Sequence, residues 1–310
     1  MAYKYIWEDP RTFKINKEDG HTFSMPFDSI EQAMSGEESQ YKQSLNGQWK
    51  FYWQRGMENQ PNDFQSPNFD DSKWGEIKVP SVWQTEGYSV PYYYASTFPR
   101  ALSRVKSQIP KIDSTMQEIG FYRRSFTLPE AWDGREIFLT FSACKAALEV
   151  WVNGEYVGFS TGSMTPHEFD VTKYLKSGEN LVCAKVYRFA ATSYLEDQDM
   201  WWLCGIYREV FLYAEPKTCL RDFYVKTDLD EEYKDSELSL DGYIKNYNSE
   251  KKTVRFQASI LSDTGKETPI GEGETEIAPG ETATIKLSKF IKNPKKWSAE
   301  QPNLYKLVMA

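Results

Sequence analysis

A chain of 310 residues, 40% hydrophobic and 15% aromatic, has the material for two ordinary domains with real cores. Its net charge of −8 argues against nucleic acid or an anionic membrane surface as a partner, because both need clustered Lys and Arg. The pairs Lys251-Lys252 and Lys295-Lys296 are too short to change that.

The start, MAYKYIWEDP, lacks a basic stretch followed by an apolar one. No window approaches the roughly 18 apolar residues of a membrane span, so a cytoplasmic, soluble chain is expected. Cys144, Cys183, Cys204 and Cys219 are widely spaced without a CxxC pair, which predicts buried reduced thiols and no zinc or redox site. With only His21 and His167 there is little basis for a His-rich metal centre or a Ser-His-Asp triad. His167 is expected in a Thr165-Pro166-His167 turn.

In chain order, residues 1–43 are polar and irregular and read as an extended arm. From Leu45 short strands and turns take over. Trp49, Phe51 and Trp53 alternate with Lys50 and Tyr52 behind an Asn46-Gly47 turn, which is a period-2 strand. Ile137–Phe141 and Ala147–Val152 follow, and Asn153-Gly154 is a type I′ hairpin signal before Tyr156–Phe159. Leu181–Phe189 alternates again. Between Trp83 and Gly120 lies a Tyr-, Ser- and Pro-rich insertion without a clear strand, and a loop of that length is functional or disordered. Many short strands joined by long loops predict an all-β jelly-roll sandwich over residues 44–216.

Composition shifts around Glu215–Thr218. Asp222–Thr227, Glu237–Lys245, Thr253–Leu261, Thr282–Leu287 and Leu304–Met309 then read as strands separated by turns at Asp230–Lys234, Ser262–Lys266 and Pro279-Gly280. Residues 217–310 therefore predict an immunoglobulin-like β-sandwich without the Cys…Trp…Cys spacing, acting as a spacer.

The densest chemistry lies at Ser193–Val210, SYLEDQDMWWLCGIYREV. Glu196, Asp197 and Asp199 stand directly before Met200, Trp201 and Trp202. Apolar sugar faces pack on aromatic rings while carboxylates accept from hydroxyls, so this mixture suits a carbohydrate site. The alternative is a solvated acidic loop whose tryptophans fill the core.

SYLEDQDMW followed by Gly205-Ile206-Tyr207-Arg208 resembles the N-terminal region of the glycoside hydrolase family 2 β-galactosidases. In the same order, WEDP (Trp7–Pro10), SLNGQWKF (Ser44–Phe51), VPSVWQTEGY (Val79–Tyr88), GFYRRSF (Gly120–Phe126), VWVNGEYVGFS (Val150–Ser160), EFDVT (Glu168–Thr172) and WSAEQPNLY (Trp297–Tyr305) are similar to that family. The resemblance implies a sugar-binding jelly roll and an immunoglobulin-like domain placed before a TIM barrel that carries the two catalytic glutamates. No βα repeat is present here, so no catalytic residue is expected in this chain and it is expected to be inactive alone.

The resemblance also assigns site residues. Asp199 is the second Asp of the EDQD run and would contact a sodium ion and the galactose 6-hydroxyl; Trp201 is placed in the substrate site by the acidic–aromatic composition, not by the resemblance. Ala95 stands where the family has a sugar-contacting Asn, and Met116–Gly120 also departs from the family segment, so substrate recognition is expected to differ in detail from the family pattern. Sodium and magnesium are implied as cofactors of the full-length protein. A β-galactoside, the C-terminal barrel of the same protein and further copies in a homo-oligomer are the implied partners, with the arm threading between subunits. Two other readings stay open: a free-standing carbohydrate-binding or adhesive module, and the same region of a β-glucuronidase or β-mannosidase.

Overall fold

The computed structural model describes residues 3–93 and 109–310. It is all-β, and the chain divides into two compact units, Met1–Asp19 with Lys42–Asp133 and Ile137–Ala214, and Gly20–Tyr41 with Gly134–Glu136 and Glu215–Ala310.

The first unit holds β1 (Lys14–Ile15), β2 (Lys42–Ser44), β3 (Gly47–Arg55), β4 (Gly75–Val79), β5 (Glu118–Thr127), β6 (Glu136–Phe141), β7 (Ala147–Val152), β8 (Glu155–Thr161), β9 (His167–Asp170), β10 (Glu179–Tyr187) and β11 (Val210–Glu215). They form a seven-stranded sheet, β1-β8-β7-β10-β5-β3-β4, and a four-stranded sheet, β2-β11-β6-β9, the two layers of the jelly roll. The alternation at Trp49 and Phe51 sends both rings into the core while Tyr52 stays outside. Asn153 and Gly154 both take positive φ, and Val152 faces Glu155 across them, as a two-residue type I′ turn requires.

Two expectations change in this unit. The arm read over residues 1–43 is divided between the units: Trp7 is buried, stacked on Tyr5 at 5.0 Å, and β1 pairs with the edge of β8. A lone indole in a polar run gave no period, yet its burial anchors the segment. His167 is in β9 opposite Phe141, fully buried, and not in a turn. Its Nδ1 lies 2.6 Å from Ser160 Oγ, and burial, reinforced by the charge of Lys17, lowers its pKa to about 3.

That shift gives a signed pH dependence. Between about pH 6.5 and about pH 3 the unfolded chain protonates this imidazole and the folded chain does not, so stability falls as pH falls through that window. Urea unfolding at pH 7.5 and 4.5 is expected to show a smaller acid loss for His167→Asn than for the wild type. An identical loss in both proteins would mean that His167 does not contribute to it.

The second unit contains β12 (Thr218–Leu229), β13 (Ser236–Asn246), β14 (Lys252–Leu261), β15 (Glu267–Ile277), β16 (Thr282–Ile291) and β17 (Lys306–Met309). Sheets β12-β13-β16 and β15-β14-β17 enclose Leu238, Leu240, Ile244, Phe256, Ile285 and Leu287, an immunoglobulin-like sandwich. Strand β15, ETPIGEGETEI, does not read as a strand in the sequence. Its inward positions are partly glycine because a Cβ on Gly273 would come within 2.6 Å of Ile285 Cγ2. Residues 20–41 belong to this unit, with Thr22 bonded to Asp222 Oδ1 and to Phe223 O, and Arg135 over the Tyr41 ring at 3.6 Å.

Candidate functional site

The acidic–aromatic stretch leaves β10 at Tyr187 and returns to the sandwich at β11. Its base is fixed by the start of the chain: Ala191 N donates to Trp7 O at 2.8 Å, and Glu8 Oε1 accepts from Ile112 N at 3.2 Å. A one-turn helix, Ser193–Glu196, follows. Beyond it the backbone wraps the buried indole of Trp202, whose Nε1 donates to Asp197 O at 3.0 Å. The return needs Gly205, whose φ is +138° and where a Cβ would sit 2.7 Å from Ser81 O.

The three carboxylates, adjacent in sequence, do three different things. Glu196 accepts from Ser163 N (2.9 Å) and Ser163 Oγ (2.7 Å), pinning the helix to the neighbouring loop. Asp197 is fully buried and forms an ion pair with Lys145, itself 5% exposed. Burial drives the Asp197 carboxyl above its usual range while the Lys145 ammonium pulls it back. The reading of these acids as a solvated run fails for Asp197. Only Asp199 turns outward, at φ +45°, and its Oδ1 accepts from Tyr93 OH at 2.6 Å. Trp201 is 56% exposed, with its ring 5.4 Å from that of Tyr93.

A second buried ion pair lies beneath this edge. Arg188 donates from Nη1 to both Glu118 oxygens at 2.9 Å and from Nη2 to Val90 O and Trp202 O, each at 2.9 Å. Its guanidinium also lies 4.7 Å from the centroid of the Tyr92 ring. One side chain therefore holds the Ser89–Tyr93 segment against the tryptophan pair, and Trp202 N donates to Tyr92 O at 2.7 Å alongside it.

The structure sets Tyr93 against both residues that the sequence reading names, Asp199 through its hydroxyl and Trp201 through its ring. Ala95 lies outside the described residues. Arg188, Glu118, Lys145 and Tyr93 are absent from that reading. The available signal is a single charge inside a small or apolar run, SACKAAL for Lys145 and VYRFAA for Arg188. Such a charge must find a partner when buried, but sequence does not say which.

The exposed carboxylate beside an exposed indole and phenol can accept from sugar hydroxyls and stack on a sugar face. No group of three or more His, Cys, Asp or Glu side chains that could hold a metal ion occurs among the described residues. The four cysteines are all free and buried, and no helix among the described residues is long and apolar enough to cross a membrane.

Residues 42–216 match the sequence model "Glycosyl hydrolases family 2, sugar binding domain", and residues 218–310 match "Glycosyl hydrolases family 2". The chain belongs to glycosyl hydrolase family 2. Among its family 2 relatives are a β-galactosidase of Priestia megaterium, 37% identical over 97% of this chain, and one of Photobacterium profundum, 35% identical over 98%. The chain spans about 29% of the length of each of these relatives. A β-glucuronidase of Bacteroides uniformis superposes with a TM-score of 0.70 at 26% identity, covering 86% of this family 2 chain and 30% of that structure. The fold is thus that of the family 2 N-terminal domains.

Proposed function

We propose that this chain is the sugar-binding and scaffold portion of a β-galactosidase, in which a catalytic barrel elsewhere in the protein hydrolyses terminal β-galactosides. The observation that carries the reading is the outward edge of Asp199, Tyr93 and Trp201, set on a chain similar over nearly its whole length to β-galactosidases. The acid of that edge offers an acceptor to a neutral sugar hydroxyl. A glucuronide would bring its own carboxylate toward Asp199, and like charges repel, which disfavours the β-glucuronidase reading.

Asp199 fits sodium as a single hard-oxygen ligand, because a carboxylate suits a hard cation. The remaining ligands would come from the rest of the protein, and the same holds for magnesium. Bound sodium would supply a fixed positive charge for a sugar oxygen. The role of this chain is to present Asp199 and the aromatic faces toward it. A homo-oligomer, with residues 1–43 near its contacts, belongs to the same proposal.

The test is an assay of the 310-residue chain and of the whole protein containing it, each with an aryl galactoside and an aryl glucuronide. The expected result is no turnover by the chain alone, because both catalytic carboxylates of a retaining glycosidase come from the barrel, and galactoside turnover by the whole protein. Turnover by the isolated chain, free of host enzyme, would overturn the division of labour; glucuronide preference would overturn the sugar.

A further inference from the structure

Tyr93 is half exposed, yet it is held by more contacts than an exposed loop residue needs. Its backbone forms a bridge with Trp201, and its hydroxyl donates to Asp199 Oδ1 at 2.6 Å. The segment leading to it is clamped from below by Arg188, through Ser89 Oγ, Val90 O and the face of Tyr92, and the same guanidinium holds Trp202 O. Arg188 is locked in turn by Glu118. Tyr93 and Asp199 are 106 residues apart in sequence but are two ends of one buried support.

Asp199 needs that support. It has no fixed rotamer from packing, because it is exposed, and its backbone takes a left-handed conformation that L-residues other than Gly, Asn and Asp avoid. An exposed carboxylate on such a turn samples several orientations unless something holds an oxygen. The phenol does so with a charge-assisted bond, which is shorter and stronger than a neutral one. The hydrogen bond to Asp199, with the carboxylate charge behind it, raises the Tyr93 pKa above its ordinary value.

We propose that Tyr93 is a positioning residue for Asp199: its hydroxyl fixes one carboxylate oxygen so that the other faces the sugar, while its ring and that of Trp201 set the adjacent stacking surface. The inference rests on the reading of Asp199 as a substrate-site residue. Its chemistry is confined to orientation, and Tyr93 itself moves no proton in the reaction. Tyr93→Phe removes only the hydroxyl and keeps the ring.

The experiment is a double-mutant cycle in the whole protein, with kcat/KM for an aryl galactoside measured for wild type, Tyr93→Phe, Asp199→Asn and the double variant. Tyr93→Phe is expected to lose about three- to tenfold, less than the tenfold or more that a hydrogen bond to a charged group is worth when shielded from water, because this one is exposed. In the Asp199→Asn background the same substitution is expected to cost less than about twofold, because nothing remains to be positioned. A purely structural role for Tyr93 would produce the same loss in both backgrounds, and that result overturns the inference. So does wild-type activity in Tyr93→Phe when Asp199→Asn is impaired. Full activity in Asp199→Asn would instead sink the reading of Asp199, and this inference with it.

Discussion

Lys145→Met is expected to destabilise the first unit by about 3–5 kcal/mol, the usual cost of removing one member of a buried ion pair. The Asp197 side chain is 0% exposed and that of Lys145 is 5% exposed, so the orphaned carboxylate has no water to turn to. It would have to protonate or open the loop, and burial already holds its carboxyl above the usual range even with the lysine in place. The double variant Lys145→Met/Asp197→Leu removes both charges and is expected to recover most of the loss, since apolar replacement of a whole buried pair is often neutral. Urea unfolding followed by tryptophan fluorescence measures all three proteins. If the single and double variants are equally stable, the pair is not what holds this loop.

Asp199→Asn in the whole protein is expected to lower kcat/KM by about ten- to a hundredfold while leaving stability unchanged. Replacing the carboxylate removes a charge from a bond worth roughly 1.5–3 kcal/mol when one partner is charged. Asn is the right substitution because it tolerates the left-handed backbone at φ +45°, whereas Ala would add backbone strain of roughly 1 kcal/mol or more. The neighbouring Asp197 is unsuitable as a control, since its substitution disturbs the buried pair with Lys145. The exposed Gln198 serves instead, and Gln198→Ala is expected to match the wild type. Steady-state kinetics showing Asp199→Asn equal to Gln198→Ala would reduce Asp199 to a residue that orders its own loop.

The sequence by itself determined the architecture of both units. Alternation at Trp49–Trp53, the Asn153-Gly154 turn and the spacing of short strands are local signals, each written within ten residues, and β-structure follows from them. Glycine placement was the limit: β15 escaped because its inward sites yield space to Ile285 from the facing sheet, a demand set by a strand further along the chain. The stretch that carries the proposed site stands out in the sequence too, since acids set against indoles are uncommon. What only the tertiary structure decided is the division of labour among Glu196, Asp197 and Asp199. Three acids in four positions look equivalent in a sequence, but a one-turn helix and a left-handed residue aim them in three directions. One meets a lysine 52 residues earlier, and another meets a tyrosine 106 residues earlier. Burial of a charge is settled by whether a partner arrives, and partners at that separation are chosen by the packing of the whole unit.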